Sequence, residues 1–143
     1  MQTLHTGEVL GGKRVLGGPM TSLVELSSAV EQGLPKVTLR NVARRVFDEP
    51  SEQRALIYRV VPEATWKRRR ERLSHAESER TERLARVVAL AEDVWQDAAQ
   101  TRHFLTTPHP EIGGKSPLDA ALTELGARQV EEVIARILYG FPA

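Results

Sequence analysis

The 143-residue chain contains no cysteine. That excludes disulfide frameworks, thiolate metal sites, CxxC redox chemistry and cysteine nucleophiles, and it fits a reducing cytoplasm. Long apolar runs are also missing. None approaches the ~20 residues of a membrane-spanning helix, and the N-terminus lacks the basic segment and apolar stretch of a secretory signal. The expectation is a cytoplasmic protein without a membrane partner. Nucleotide-cradling motifs are absent: there is no GxxxxGK[ST] loop and no GxGxxG after a strand. The four histidines, His5, His75, His103 and His109, have no HExxH spacing. The one metal constellation the sequence offers, Asp97, His103 and His109 with Glu111, is weak. No local arrangement joins a nucleophile to a base, so neither a catalytic residue nor a cofactor is assigned.

What is present is ordinary globular material, with 41% hydrophobic and 27% charged residues. The length suits one domain, or two small helical units sharing a core. A net charge of +1 hides an uneven distribution. Residues 1–53 balance, residues 54–86 carry +5, and residues 87–143 carry −4. A basic patch concentrates phosphate backbones, whereas an acidic region repels them and serves another partner; solvated helix faces are the plainer alternative.

Residues 1–20 hold five of the ten glycines and keep no helical or strand period, which predicts a flexible N-terminal arm. Ser22 followed by Glu25 forms a capping-box pattern for a helix over about 23–32 that Gly33 ends. Leu39, Val42, Ala43, Val46 and Phe47 mark a second helix, and a third follows over 52–61. Pro62 suits the first position of the next, running to about Arg72. Ser74 to Glu77 is another capping box, opening an amphipathic stretch from 75 to about 100. After a loop with two prolines and a glycine pair, Ser116 caps a short helix broken by Gly126, and a last helix carries Ala127, Val130, Val133, Ile134, Ile137 and Leu138 on one face. Nothing reads as a strand, so the predicted class is all-α.

The run Lys67-Arg68-Arg69-Arg70-Glu71-Arg72 follows a short helix and a tight turn. This is the order in which a helix-turn-helix presents its second helix to the major groove. Thr65, Arg68, Arg69 and Arg72 fall within about one face, with Trp66 and Leu73 pointing inward; a solvated face with ion pairs such as Arg68 to Glu71 is the alternative.

These residues, from Ala55 through Pro62-Glu63-Ala64-Thr65-Trp66-Lys67-Arg68-Arg69 to Ser74-His75-Ala76-Glu77-Ser78-Glu79-Arg80, resemble the Xre-type helix-turn-helix of the Xre/MbcA/ParS antitoxins. The tail strengthens the likeness: Pro110-Glu111-Ile112-Gly113-Gly114-Lys115-Ser116-Pro117-Leu118-Asp119, then Thr123-Glu124-Leu125-Gly126-Ala127, then Arg136-Ile137-Leu138-Tyr139-Gly140 is similar to that family's toxin-binding domain. The resemblance covers about 22–143 and implies an Xre/Cro-like helix-turn-helix bundle over 21–83 followed by a small helical toxin-binding domain over 84–143. It implies an antitoxin, not an enzyme, that neutralises a RES-domain toxin degrading NAD and represses their shared operon by binding operator DNA as a homodimer or larger complex. Carried over by position, Thr65, Lys67, Arg68, Arg69 and Arg72 face DNA. Gly113, Gly114, Pro117, Leu118, Asp119, Arg136, Tyr139, Gly140 and Phe141 shape the toxin-facing region. Two positions depart from the family pattern: Val61-Pro62 stands where a small polar residue is common before the second helix, and Trp66 stands where a leucine follows Thr65.

Overall fold

The computed structural model describes residues 2–140, and the described residues form an all-helical bundle with one isolated antiparallel bridge, between Pro35 and Arg72. The helices are α1 (Gln2–Leu10), α2 (Lys13–Leu16), α3 (Leu23–Gln32), α4 (Lys36–Val46), α5 (Pro50–Val60), α6 (Glu63–Arg68), α7 (His75–Trp95), α8 (Ala98–Thr106), α9 (Pro117–Ala120) and α10 (Glu124–Tyr139), with a 3₁₀ turn over Pro110–Ile112.

The organising element is α7. Ser74 opens it with a complete capping box: its hydroxyl accepts from the Glu77 amide, and the Glu77 carboxylate accepts from the Ser74 amide. Leu84, Ala85, Val87, Val88, Ala89 and Ala91 are buried along it. Helices α1, α3, α4 and α5 pack against α7, and so do α8, α9 and α10. One helix is therefore common to the two units read from the sequence, and one continuous core runs through both.

The N-terminal residues differ from the expected flexible arm. Gln2–Leu10 is a helix laid along α7 and α4, with Val9 and Leu10 buried. Its glycine and scattered polar residues leave no period to read, and the helix owes its stability to tertiary packing rather than to its own sequence. Gly7 sits where a Cβ would press on Met20, and Thr6 satisfies its buried hydroxyl on the Gln2 carbonyl. Asn41 donates to the Leu10 carbonyl (3.0 Å), and His5 lies between Glu92 and Asp93, 2.8 Å from a carboxylate oxygen of each.

Three further boundaries shift. The stretch expected to reach about residue 100 stops at Trp95, because Gln96 adopts a left-handed conformation (φ 49°) and Asp97 caps a separate helix, α8. Trp95 and Phe104 then stack across that corner, centroids 4.4 Å apart. The basic helix ends at Arg68 rather than near Arg72, since residues 71–73 pair in extended form with 34–36: Lys36 N donates to Glu71 O and Leu73 N to Leu34 O. Gly126 is not a breaker. It lies in the first turn of α10, capped by Thr123, where a Cβ would fall 1.9 Å from the Ala120 carbonyl oxygen.

Candidate nucleic-acid interface and C-terminal surface

Helix α5 turns into α6 at Val61 and Pro62, with Val61 buried beneath the corner. Trp66 anchors α6 from below: its side chain is 7% exposed, and Lys36 Nζ lies 4.3 Å from its ring centroid with the Arg40 guanidinium at 5.7 Å. The bulky residue at this position is thus a core anchor whose face is covered by two cations from α4.

Above it, Thr65, Arg68, Arg69, Arg70 and Arg72 line a hollow of about 310 Å³. The structure brings together four of the five residues expected to meet DNA, and adds Arg70. Their states differ. Arg68 is exposed and bonded only loosely to the Thr65 hydroxyl at 3.4 Å, and among the described residues no carboxylate pairs with Arg68 or Arg70. Arg69 is tied down, with Nε and Nη2 3.1 and 3.0 Å from Glu77 Oε1. Arg72 stands on the extended segment beyond the helix and donates to the Gly33 carbonyl at 2.7 Å. Lys67 points away from the hollow into an ion pair with Glu63 at 2.7 Å, and that hydrogen bond holds its amine above the usual lysine range.

Glu77 links this surface to α7. Burial pulls its carboxyl up, but the Ser74 amide and the Arg69 guanidinium outweigh that cost and hold it below the ordinary carboxylate range. The same carboxylate closes the α7 capping box and fixes Arg69, so the arginine cluster is keyed to the helix at the centre of the fold.

At the other end, Gly113 and Gly114 are exposed in left-handed conformations (φ 64° and 79°) after the 3₁₀ turn, a shape open to glycine at little cost. Pro117 and Leu118 are buried and build α9. Asp119 pairs with Arg59 of α5, and its amide donates to the Ser116 hydroxyl that caps α9. Arg136 pairs with Glu111, fastening α10 to the loop. Beyond it the surface turns apolar: Ile137, Leu138 and Tyr139 are exposed, Tyr139 at 71%. Gly140 closes the helix at φ 61°, and Phe141 lies outside the described residues. Among the described residues no cluster of histidine and carboxylate side chains could hold a metal, and no helix is long and apolar enough to cross a membrane.

Comparison with known proteins divides the chain along these lines. The model of the antitoxin Xre-like helix-turn-helix domain matches residues 25–86, and that of the antitoxin Xre/MbcA/ParS C-terminal toxin-binding domain matches residues 90–140. The chain is also 29% identical over 125 residues to a protein of Pseudomonas putida named Antitoxin Xre, an overlap that spans 85% of this chain and 76% of that protein. Two domain models in tandem, meeting within α7, and a relative spanning both place the chain in the family of Xre-type antitoxins, regulatory proteins rather than enzymes, which join a DNA-binding helix-turn-helix to a toxin-binding domain.

Proposed function

We propose that this protein, acting in the cytoplasm, neutralises a RES-domain toxin that degrades NAD by covering its active site with the end of α10, and represses its own operon through the arginine hollow. The observation that carries the neutralising half is the exposed run Ile137, Leu138 and Tyr139 at the close of an amphipathic helix whose inner face, Ala127, Val130, Val133 and Ile134, is buried, inside the segment matched as toxin-binding. Contiguous apolar surface of this kind marks a partner site more often than an idle face. The reading that the toxin carries a RES domain and consumes NAD is supported by the family resemblance alone. Exclusion is steric: a short apolar segment entering a cleft denies it to a dinucleotide. Acidic residues on the same helix, Glu131 and Glu132, complement basic groups that hold phosphates and raise the rate of encounter.

The DNA-binding half is supported by Arg68 and Arg70, two guanidinium groups with no carboxylate partner among the described residues, beside a third and fourth held in place. Palindromic operators call for a two-fold protein, which favours a homodimer or a larger complex with toxin.

The deciding experiment co-expresses the protein, intact or lacking residues 139–143, with the product of the adjacent reading frame, and follows complex formation, growth and cellular NAD. Full-length protein should form a stable complex and restore both growth and NAD, and the shortened chain should restore neither. A shortened chain that still neutralises rejects occlusion by the tail. A neighbour that is neither toxic nor bound favours a solitary regulator. On the DNA side, Arg68→Ala with Arg70→Ala should weaken binding to the promoter and lower the slope of log affinity against log salt by about 0.9 for each phosphate left unneutralised.

A further inference from the structure

We propose that Lys36 is a positioning residue for operator recognition: it holds α6 in its pose through the face of Trp66 and the carbonyl of Arg69, without itself meeting DNA. The inference rests on the DNA-binding reading above and deepens it.

The placement of Lys36 is costly in three ways. It is the first residue of α4, where the helix dipole disfavours a cation, and no acidic side chain in that first turn offsets it. It is half-buried, and burial, followed by the charge of Arg40 one turn along, holds its amine below the usual lysine range. Among the described residues no carboxylate pairs with it. A surface lysine placed for solubility would avoid all three.

Two contacts compensate, and both belong to the recognition unit. Nζ lies 4.3 Å from the Trp66 centroid, within cation–π range, and donates to the Arg69 carbonyl at 3.1 Å. Arg69 is the residue that caps α6, so the ammonium grips the helix at its anchor and at its C-terminal end together. Because the backbone of Lys36 also donates to Glu71 O, the first residue of α4 is joined to the arginine segment at three points. The arrangement needs an aromatic ring in the position that a leucine fills in the family pattern. Trp66 and Lys36 thus form one device, in which the larger anchor is held against tilting by the cation on its face.

The test uses the full-length protein and a labelled duplex of the promoter upstream of its own reading frame. Lys36→Met should lower affinity for that duplex about tenfold, the scale of a partly desolvated cation–π contact, while the salt slope, the melting temperature and toxin capture stay at wild-type values. Lys36→Arg, which stacks on the indole and still donates to a carbonyl, should recover affinity to within about threefold. In a Trp95→Phe background, where Trp66 is the sole tryptophan, the emission of Trp66 should rise in Lys36→Met as the ammonium leaves the ring. Unchanged operator affinity in Lys36→Met overturns the proposal, as does a salt slope reduced by about one, which would make Lys36 a direct phosphate ligand. A parallel loss of toxin capture and melting temperature would make it a general fold residue and overturn the proposal too. If the wild-type protein does not bind the duplex, the DNA-binding reading fails; an emission rise in Lys36→Met would then still report the stack itself.

Discussion

Gly126 shows how much one missing carbon can decide. A methyl group there would lie 1.9 Å from the Ala120 carbonyl oxygen and crowd the Thr123 hydroxyl that caps α10, so the first turn of the helix bearing the exposed apolar end requires glycine at this position. Gly126→Ala should cost about 1–3 kcal/mol of stability, the range for overpacking, read as a lower midpoint in urea with an unchanged slope. Glu77 and Glu82 make opposite predictions on the same helix, α7. Glu77 titrates below its unfolded value, so its contribution is present above about pH 4.3 and fades as pH falls through its folded value. Glu77→Gln should therefore lower the melting temperature at pH 7 and matter little under strong acid. Glu82 is held above the usual carboxylate range by burial, against the pull of Arg86 and Arg83. Ionised Glu82 thus costs stability at neutral pH, and that cost disappears as pH falls through the folded and then the unfolded value. Glu82→Gln should melt higher than wild type at pH 7, with the gap closing below about pH 4. Arg86 keeps Glu131 and Glu124 within 3.5 and 3.8 Å, so the exchange leaves that guanidinium with carboxylates nearby. Equal melting curves across that range would reject the assignment.

At the scale of elements, the helices legible from sequence are those with a cap and a period. Ser22, Ser74 and Ser116 each accept from the amide three residues on, as their spacing implies, and the apolar faces of α4 and α7 lie inward, as do Leu26 and Val30 of α3 and Ala127, Val130, Val133 and Ile134 of α10, whereas Leu23, Ile137 and Leu138 stay exposed. Helix α8 is hidden because its apolar residues continue the stripe of α7, while the corner at Gln96 depends on a left-handed residue that is not glycine. The short α6 reads too long for a related reason: Arg70 and Arg72 look helical beside Arg68, yet the extended pairing with 34–36 takes the backbone away. That pairing spans nearly forty positions, and no local pattern announces it. The arginine cluster is legible as composition and order, but which arginines are committed internally is not, because Glu77 and the Gly33 carbonyl reach them through tertiary structure. Arg69→Ala should accordingly weaken both operator binding and stability, whereas Arg68→Ala should affect binding alone; equal melting temperatures for the two variants would remove the distinction.

For the whole molecule, the consequential feature is that α1, which precedes both matched domains, packs on α7 at the stretch where they meet. Gln2 donates to the Arg86 carbonyl, and His5 joins Glu92 and Asp93, so the contacts of α1 span the boundary between the helix-turn-helix and the toxin-binding segments. Glu92 is engaged by Arg45 of α4 as well, at 3.0 Å, which ties the same carboxylate to both N-terminal elements. Removing residues 1–20 uncovers a face of the shared core. At about 1.5–3 kcal/mol for each large apolar side chain buried, the loss of Val9 and Leu10 alone approaches the lower end of a small protein's total stability. The truncated chain should therefore melt well below the intact one and lose operator binding and toxin capture together. Deletion of 139–143 should instead leave the melting temperature and DNA affinity unchanged while toxin capture fails. The contrast between the two deletions tests the architecture, because a protein built of two independent units would lose one function at either end, whereas a single core organised on α7 loses both when α1 is removed. Retained toxin capture by the chain lacking residues 1–20 would show that the C-terminal unit stands by itself and that α1 only covers the helix-turn-helix.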